Sequence, residues 1–128
     1  YKPHYDATQD KGAIRASFCT DPAIKNTPFN FISEAFASAL AVVALGTFST
    51  IETGLGPFMV GILVWAIGLG LGGTTGYAIN PARDLGPRIM HAILPIPNKG
   101  DSGWDYAWIP VLGPAAGAVL GAYILTLN

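Results

Sequence analysis

Charge is what this sequence has least of. Seven Lys and Arg and eight Asp and Glu make up only 12% of its 128 residues, about half the share of an ordinary soluble domain. The net charge of −1 supplies no basic field, which excludes a nucleic-acid binder. A lone Cys19 can form neither an internal disulfide nor a thiolate metal cluster. His4 and His91 stand without metal-ligand spacing and read as inert surface or packing residues, so neither a metal nor a cofactor is expected. HExxH and GxSxG motifs are missing, which leaves the neighbours Arg83 and Asp84 without support as an acid and base pair in an intramembrane enzyme. The chain also lacks an initiator Met and a charged-then-apolar leader, and is therefore expected to be a piece of a longer polypeptide.

Apolar residues, by contrast, reach 51%, the composition of a membrane protein and the reverse of disorder, despite sixteen Gly and ten Pro. The charges are unevenly spread: seven lie between Lys2 and Lys25 and eight in all the rest. Residues 1–28 hold Pro3, Pro22 and Pro28 without sustained periodicity, so they are expected as an exposed segment outside the hydrocarbon, with Cys19 a free thiol. Residues 29–128 are expected to be embedded.

From Asn30 to Thr50 the chain is apolar except at Glu34. A helix of that length reaches about 30 Å, one bilayer core. A link around Glu52, Gly54 and Gly56 follows, then an uncharged stretch from Thr53 to Ala82, longer than one span needs. Leu, Ile, Val and Trp fill its first part, so a second span is expected over about 57–71. Gly72, Gly73, Thr74, Thr75 and Gly76 break the pattern, which predicts extended backbone over 72–79. Irregular backbone at membrane depth survives only inside protein or along a wet cavity, so a pathway is implied. Asn80, Pro81 and Ala82 then read as a helix start, since Asn is a favoured N-cap and Pro suits the first helical position. That helix runs to about Ile93 and crosses about half a bilayer. Pro95, Pro97, Asn98, Lys99, Gly100, Asp101 and Gly103 form a polar loop, and Trp104, Tyr106 and Trp108 suit an interfacial aromatic belt. The last span covers 107–127, where Gly113, Gly117 and Gly121 make a small-residue stripe that lets another helix come close. The fold class that emerges is an all-α membrane protein with three transmembrane helices and one re-entrant loop and half-helix over 72–94.

The chemistry concentrates in Gly72 to Arg88, GGTTGYAINPARDLGPR. A half-helix opening at the membrane midplane points its unpaired N–H groups and partial positive charge into the pathway, repelling cations and protons. An Asn80 amide turned into the lumen donates hydrogen bonds, and an extended segment before it offers carbonyls of Gly76, Tyr77 and Ala78. Donors facing acceptors suit water or a neutral polyol rather than an ion. Arg83 adds a positive barrier, with Asp84 expected to offset it locally.

GYAINPARDLGPR resembles the second signature loop of the aquaporin superfamily, the major intrinsic proteins, in its glycerol-facilitator branch. The resemblance implies six spans and two half-helices in two inverted repeats, of which this chain covers the second. It implies that Asn80, Pro81 and Ala82 form the second NPA box and that Arg83 is the selectivity-filter arginine. Tyr77 stands where glycerol facilitators place a Phe against the polyol carbon chain, and adds a hydroxyl. Glu34 resembles the family's buried glutamate that orients loop carbonyls, the alternative being a residue at the membrane interface. Asp84, Arg88, Pro110 and Val111 match the glycerol pattern, where the water branch has Ser, Ala, Phe and Trp.

The function implied is passive passage of glycerol and other small neutral solutes, with water, through a pore of which this chain is half; no enzyme activity is expected. The implied partners are the N-terminal half of the channel, the lipid bilayer and, when complete, three further copies in a homotetramer. Lys2, Lys11, Arg15 and Lys25 taken alone put residues 1–28 inside by the positive-inside rule. The resemblance instead puts 1–28 and 94–106 outside and the C-terminus in the cytoplasm, in a multi-pass protein of the cell membrane. The alternative function is a non-conducting scaffold or regulatory subunit associating through the glycine stripe.

Overall fold

The computed structural model describes residues 2–49, 51 and 54–127; the centre of the expected link, at Glu52, lies outside them. Among the described residues all regular structure is helical, in the order α1 (Lys2–Ala7), α2 (Lys11–Ala16), α3 (Thr27–Phe48), α4 (Gly56–Thr75), α5 (Pro81–Ile93) and α6 (Ile109–Leu125). Each of the four long helices opens on a proline within its first two positions. Proline costs nothing there, because the N–H it lacks has no intrahelical partner. With 22 and 20 residues, α3 and α4 are long and apolar enough to cross a membrane, and α6 is a shorter apolar helix of 17. The 13 residues of α5 reach only about 20 Å. Lys99 closes its far end, donating to the carbonyls of His91, Ala92 and Leu94 at 2.7, 2.7 and 2.6 Å, where a cation also complements the helix dipole.

The core is the crossing of α3 and α6. Gly113, Gly117 and Gly121 are all buried on α6. A Cβ at Gly113 would stand 2.9 Å from the Glu34 Cβ, and one at Gly121 would stand 2.7 Å from the Ala39 carbonyl oxygen. At Gly117 the backbone of Ala35 comes closer still. The helix that the stripe was expected to admit is thus α3 of the same chain, and the surface on which a scaffold role would rely is already covered.

Three expectations need correction. First, α4 continues through Gly72, Gly73, Thr74 and Thr75, so the irregular segment shrinks from 72–79 to 76–79. Partners from outside the helix stabilise this weak final turn: Ala23 N–H donates to the Gly73 carbonyl at 3.0 Å, Asn30 Nδ2 to Thr74 at 2.7 Å, and Tyr106 O–H to Thr75 at 2.9 Å. Poor local propensity yields to tertiary packing. Secondly, the N-terminal segment is not simply exposed. It forms α1 and α2, the latter capped by Asp10, and buries Ile14, Cys19 and Thr20. Thirdly, Tyr106 is only 2% exposed and does not belong to an aromatic belt, unlike Trp104 and Trp108.

Because no rotamer can move a backbone carbonyl, Gly117→Ala is expected to push α6 off α3 and cost about 1–3 kcal/mol, the usual penalty of overpacking. A lowered midpoint of thermal unfolding in detergent measures it, and an unchanged midpoint removes the close-approach account of the stripe.

Candidate functional site

Where α4 ends, the chain enters an unusual backbone. Gly76 caps the helix in the left-handed region at φ 80°, Tyr77 follows at 65°, and Ile79 lies at 45°. Positive φ is natural for glycine but an outlier for a β-branched residue. Such conformations cost about 1–3 kcal/mol each and persist only where their surroundings over-determine them.

The support comes from α3. Glu34 is fully buried and its carboxylate accepts a hydrogen bond from the Ile79 N–H. Thr75, also buried, accepts from the Tyr77 N–H at 3.2 Å through its hydroxyl. The contact turns the Glu34 carboxylate towards the loop, and Glu34 and Thr75 between them engage the N–H groups of Ile79 and Tyr77.

Asn80 then reverts to extended backbone at φ −155° and caps α5, its Oδ1 accepting from Ala82 N–H at 2.9 Å. With that oxygen engaged, the remaining polar group of this exposed side chain is Nδ2, a donor. Pro81 and Ala82 form the first turn. Arg83, in the same turn, is exposed and carries its guanidinium 5.0 Å from the centre of the Tyr77 ring, within cation–π range. Acceptors, an amide donor, an aromatic face and a cation thus lie along one short stretch of chain.

The expectation that Asp84 offsets Arg83 is wrong. Asp84 is fully buried, and its two oxygens are bound by Arg88 and Thr20. They face away from Arg83 because Arg88, one helical turn on, offers a planar fork that matches a carboxylate. The charge of Arg83 is therefore not cancelled by its neighbour in sequence.

Sequence reasoning missed four contributors. Gly68 seats the Tyr77 ring: a Cβ there would meet Tyr77 Cζ at 3.0 Å, and the Tyr77 hydroxyl donates to the Val64 carbonyl at 2.7 Å. No local period links two residues on opposite sides of a helix end. Asn30 was legible, since a buried amide at the head of an apolar span needs partners; it takes the Asn26 N–H on Oδ1 and donates to Ile24 and Thr74. Tyr106 hides behind its aromatic neighbours; burial pushes its phenol well up from the ordinary value, keeping it a donor to Thr75. His91 follows the packing alternative, and its partner is what went unseen: it is fully buried, with Nδ1 2.8 Å from the Ser102 hydroxyl. Burial likewise raises the Cys19 thiol, which favours its neutral, unreactive form. At the surface, the hydrogen bond from Lys25 holds the Asp105 carboxyl below its usual range.

Residues 22–125 match the major intrinsic protein family, and the chain belongs to it. It is 58% identical over 130 aligned positions to the glycerol uptake facilitator protein of Streptococcus pneumoniae, covering 99% of this chain and 55% of that one. Glycerol uptake facilitator protein 3 of Lactiplantibacillus plantarum is 54% identical, over 99% of this chain and 54% of its own. The D/L-lactic acid transporter of the same organism is 48% identical, over 98% and 55%. The chain therefore spans about half the length of the curated relatives it matches. Family membership makes it an integral membrane protein, and its architecture of three apolar helices with a half-helix is half of the aquaporin fold.

The Glu34 contact generates a prediction that separates its two atoms' worth of chemistry. Glu34→Gln keeps a carbonyl oxygen for Ile79, whereas Glu34→Leu leaves a strained N–H unpaired. Hydrogen exchange at the Ile79 amide is expected to stay near the parent rate in the first and to quicken by about tenfold in the second, a difference of about 1.4 kcal/mol in local opening. Equal rates in the two variants would sink the support role.

Proposed function

We propose that this chain forms the second half of a passive membrane channel for glycerol and other small neutral solutes, with water, and that it catalyses no reaction. One observation carries the reading: a strained loop with Gly76, Tyr77 and Ile79 at positive φ runs straight into an Asn-capped half-helix whose first turn holds an exposed Arg83. Gly76 and Tyr77 are half-buried and Ala78 is fully buried within this chain, and in the complete pore the carbonyls of 76–78 would serve as acceptors. A file of hydroxylated molecules needs a donor and an acceptor at every step, and this backbone supplies both. An ion finds no compensating charge there: the half-helix dipole and Arg83 repel cations, and Asp84 is spent on Arg88. The relatives named glycerol uptake facilitators support the solute class.

In this reading Tyr77, Asn80 and Arg83 line the filter and the pore centre, with Pro81, Ala82, Asp84 and Glu34 behind them. The Tyr77 hydroxyl is committed to Val64, so the residue meets solute as an aromatic wall much as a Phe does. A first repeat with its own half-helix completes the pore, and the finished channel assembles as a homotetramer in the cell membrane. Residues 1–28 and 94–106 face outside and the C-terminus the cytoplasm.

A neutral hydroxy acid meets the same hydrogen-bonding requirement, and one relative is named a lactic acid transporter. Protonated lactic acid is the second candidate solute. Its flux should then rise as pH falls, because the neutral form grows while the carboxylate is excluded; flux independent of pH removes it.

The primary test is swelling of proteoliposomes that carry this chain with its first repeat, under an inward glycerol gradient. Arg83→Ala is expected to keep glycerol flux and raise proton or cation leakage by about tenfold or more, as loss of a pore-lining positive barrier implies. Unchanged leakage counts against Arg83 as the filter cation, and no glycerol uptake by the parent counts against the channel.

A further inference from the structure

Against the half-helix lies a buried polar cluster that the channel reading leaves unexplained. Arg88 is completely buried, yet all five of its N–H groups are engaged. Nε and Nη2 donate to the two oxygens of Asp84, each at 2.7 Å. The second Nη2 hydrogen goes to the Thr20 carbonyl at 2.8 Å, and Nη1 serves the carbonyls of Ser102 and Gly103 at 2.6 and 2.8 Å. Thr20 answers with its own N–H and hydroxyl, both 2.7 Å from Asp84 Oδ1. Two segments distant in sequence, at Thr20 and at Ser102 and Gly103, are thereby fixed to one turn of α5. A lysine, with three donors on a flexible stem, could not hold all of these acceptors.

Two consequences reach the pore side. Asp84 follows Arg83 directly, so the latch fixes the turn from which the filter cation projects. Thr20 and Asp21 also press on the loop: a Cβ at Gly76 would stand 2.5 Å from the Asp21 nitrogen and 3.0 Å from the Thr20 carbonyl carbon. Between these walls residues 16–21, Gly76, Arg83 and Pro87 enclose a cavity of about 290 Å³.

We propose that Thr20, Asp84 and Arg88 are positioning residues for solute size: the latch sets, from behind, the separation of Arg83 from the Gly76 carbonyl at the pore mouth. The proposal rests on the channel reading. Loosening the latch widens the mouth, so larger polyols gain more than glycerol does, whereas a merely structural defect lowers every flux in proportion.

The experiment measures the ratio of xylitol to glycerol permeability in proteoliposomes of the complete channel. Thr20→Val, which removes one hydroxyl and keeps the ion pair, and Arg88→Lys, which keeps the charge and loses the fork, are each expected to raise the ratio by about fivefold, with glycerol flux per folded channel nearly constant, the size of effect known for residues coupled to a site at one remove. An unchanged ratio in both, or a proportional fall of both fluxes, overturns the latch while leaving the channel reading intact. Should Arg88→Lys fail to assemble, Thr20→Val alone decides. A parent that takes up no glycerol removes the channel reading and the latch with it.

Discussion

A left-handed isoleucine cannot hold that conformation unaided. Ile79 and Tyr77 both occupy positive φ, and the only conformations cheap enough to compete would turn the loop carbonyls elsewhere. What prevents this is a hydrogen bond from the Ile79 N–H to a carboxylate brought from α3. The position of α3 in turn follows from α6, whose glycines admit its backbone to near contact. Helix crossing, buried carboxylate and strained loop therefore form one causal sequence, and the path of the chain from Gly76 into the half-helix is its product. Irregular backbone packed among apolar helices is expensive; three elements cooperate to hold it.

Electrostatics divides between the two sides of α5. Asp84 and Arg88 neutralise each other out of reach of solvent, which confines their influence to geometry. Arg83, one residue before, is exposed and lies against the Tyr77 ring. Adjacent residues of opposite sign suggest a pair, but on a helix they project about 100° apart, whereas residues one turn apart share a face. The same sequence thus holds a silent ion pair and an active cation within six residues.

Much of this was legible beforehand, for reasons that can be named. Asn80 and Pro81 announce a helix start by local chemistry alone, and α3, α5 and α6 follow from apolar length and punctuation. The end of α4 was not legible: Gly72, Gly73, Thr74 and Thr75 are poor helix formers, and the partners that keep them helical, Ala23, Asn30 and Tyr106, come from three distant places. Gly68 escaped for the same reason, since its meaning lies in a ring nine positions on. The N-terminal segment looked like a solvated head because charge marks it, yet two of its charges, Arg15 and Asp21, pair 2.6 Å apart, and its buried Thr20 is hydrogen-bonded to Asp84 of the half-helix. Local signals located the site, while its walls belong to long-range contacts.

Glycine illustrates how far composition can mislead. Taken as a count, sixteen glycines in 128 residues suggest flexibility. In place they are mostly the opposite. Gly113, Gly117 and Gly121 are absences of side chain that allow two helices to lock, Gly68 is a seat for an aromatic ring, and Gly76 alone among these uses a conformation other residues avoid, while also letting Thr20 and Asp21 press against it. Each of these positions is tight, and a single methyl group would meet backbone, a held ring or, at Gly113, the buried Glu34 side chain. A pore that sorts solutes by size needs walls that do not yield, and in this half of it rigidity comes from what the side chains leave out.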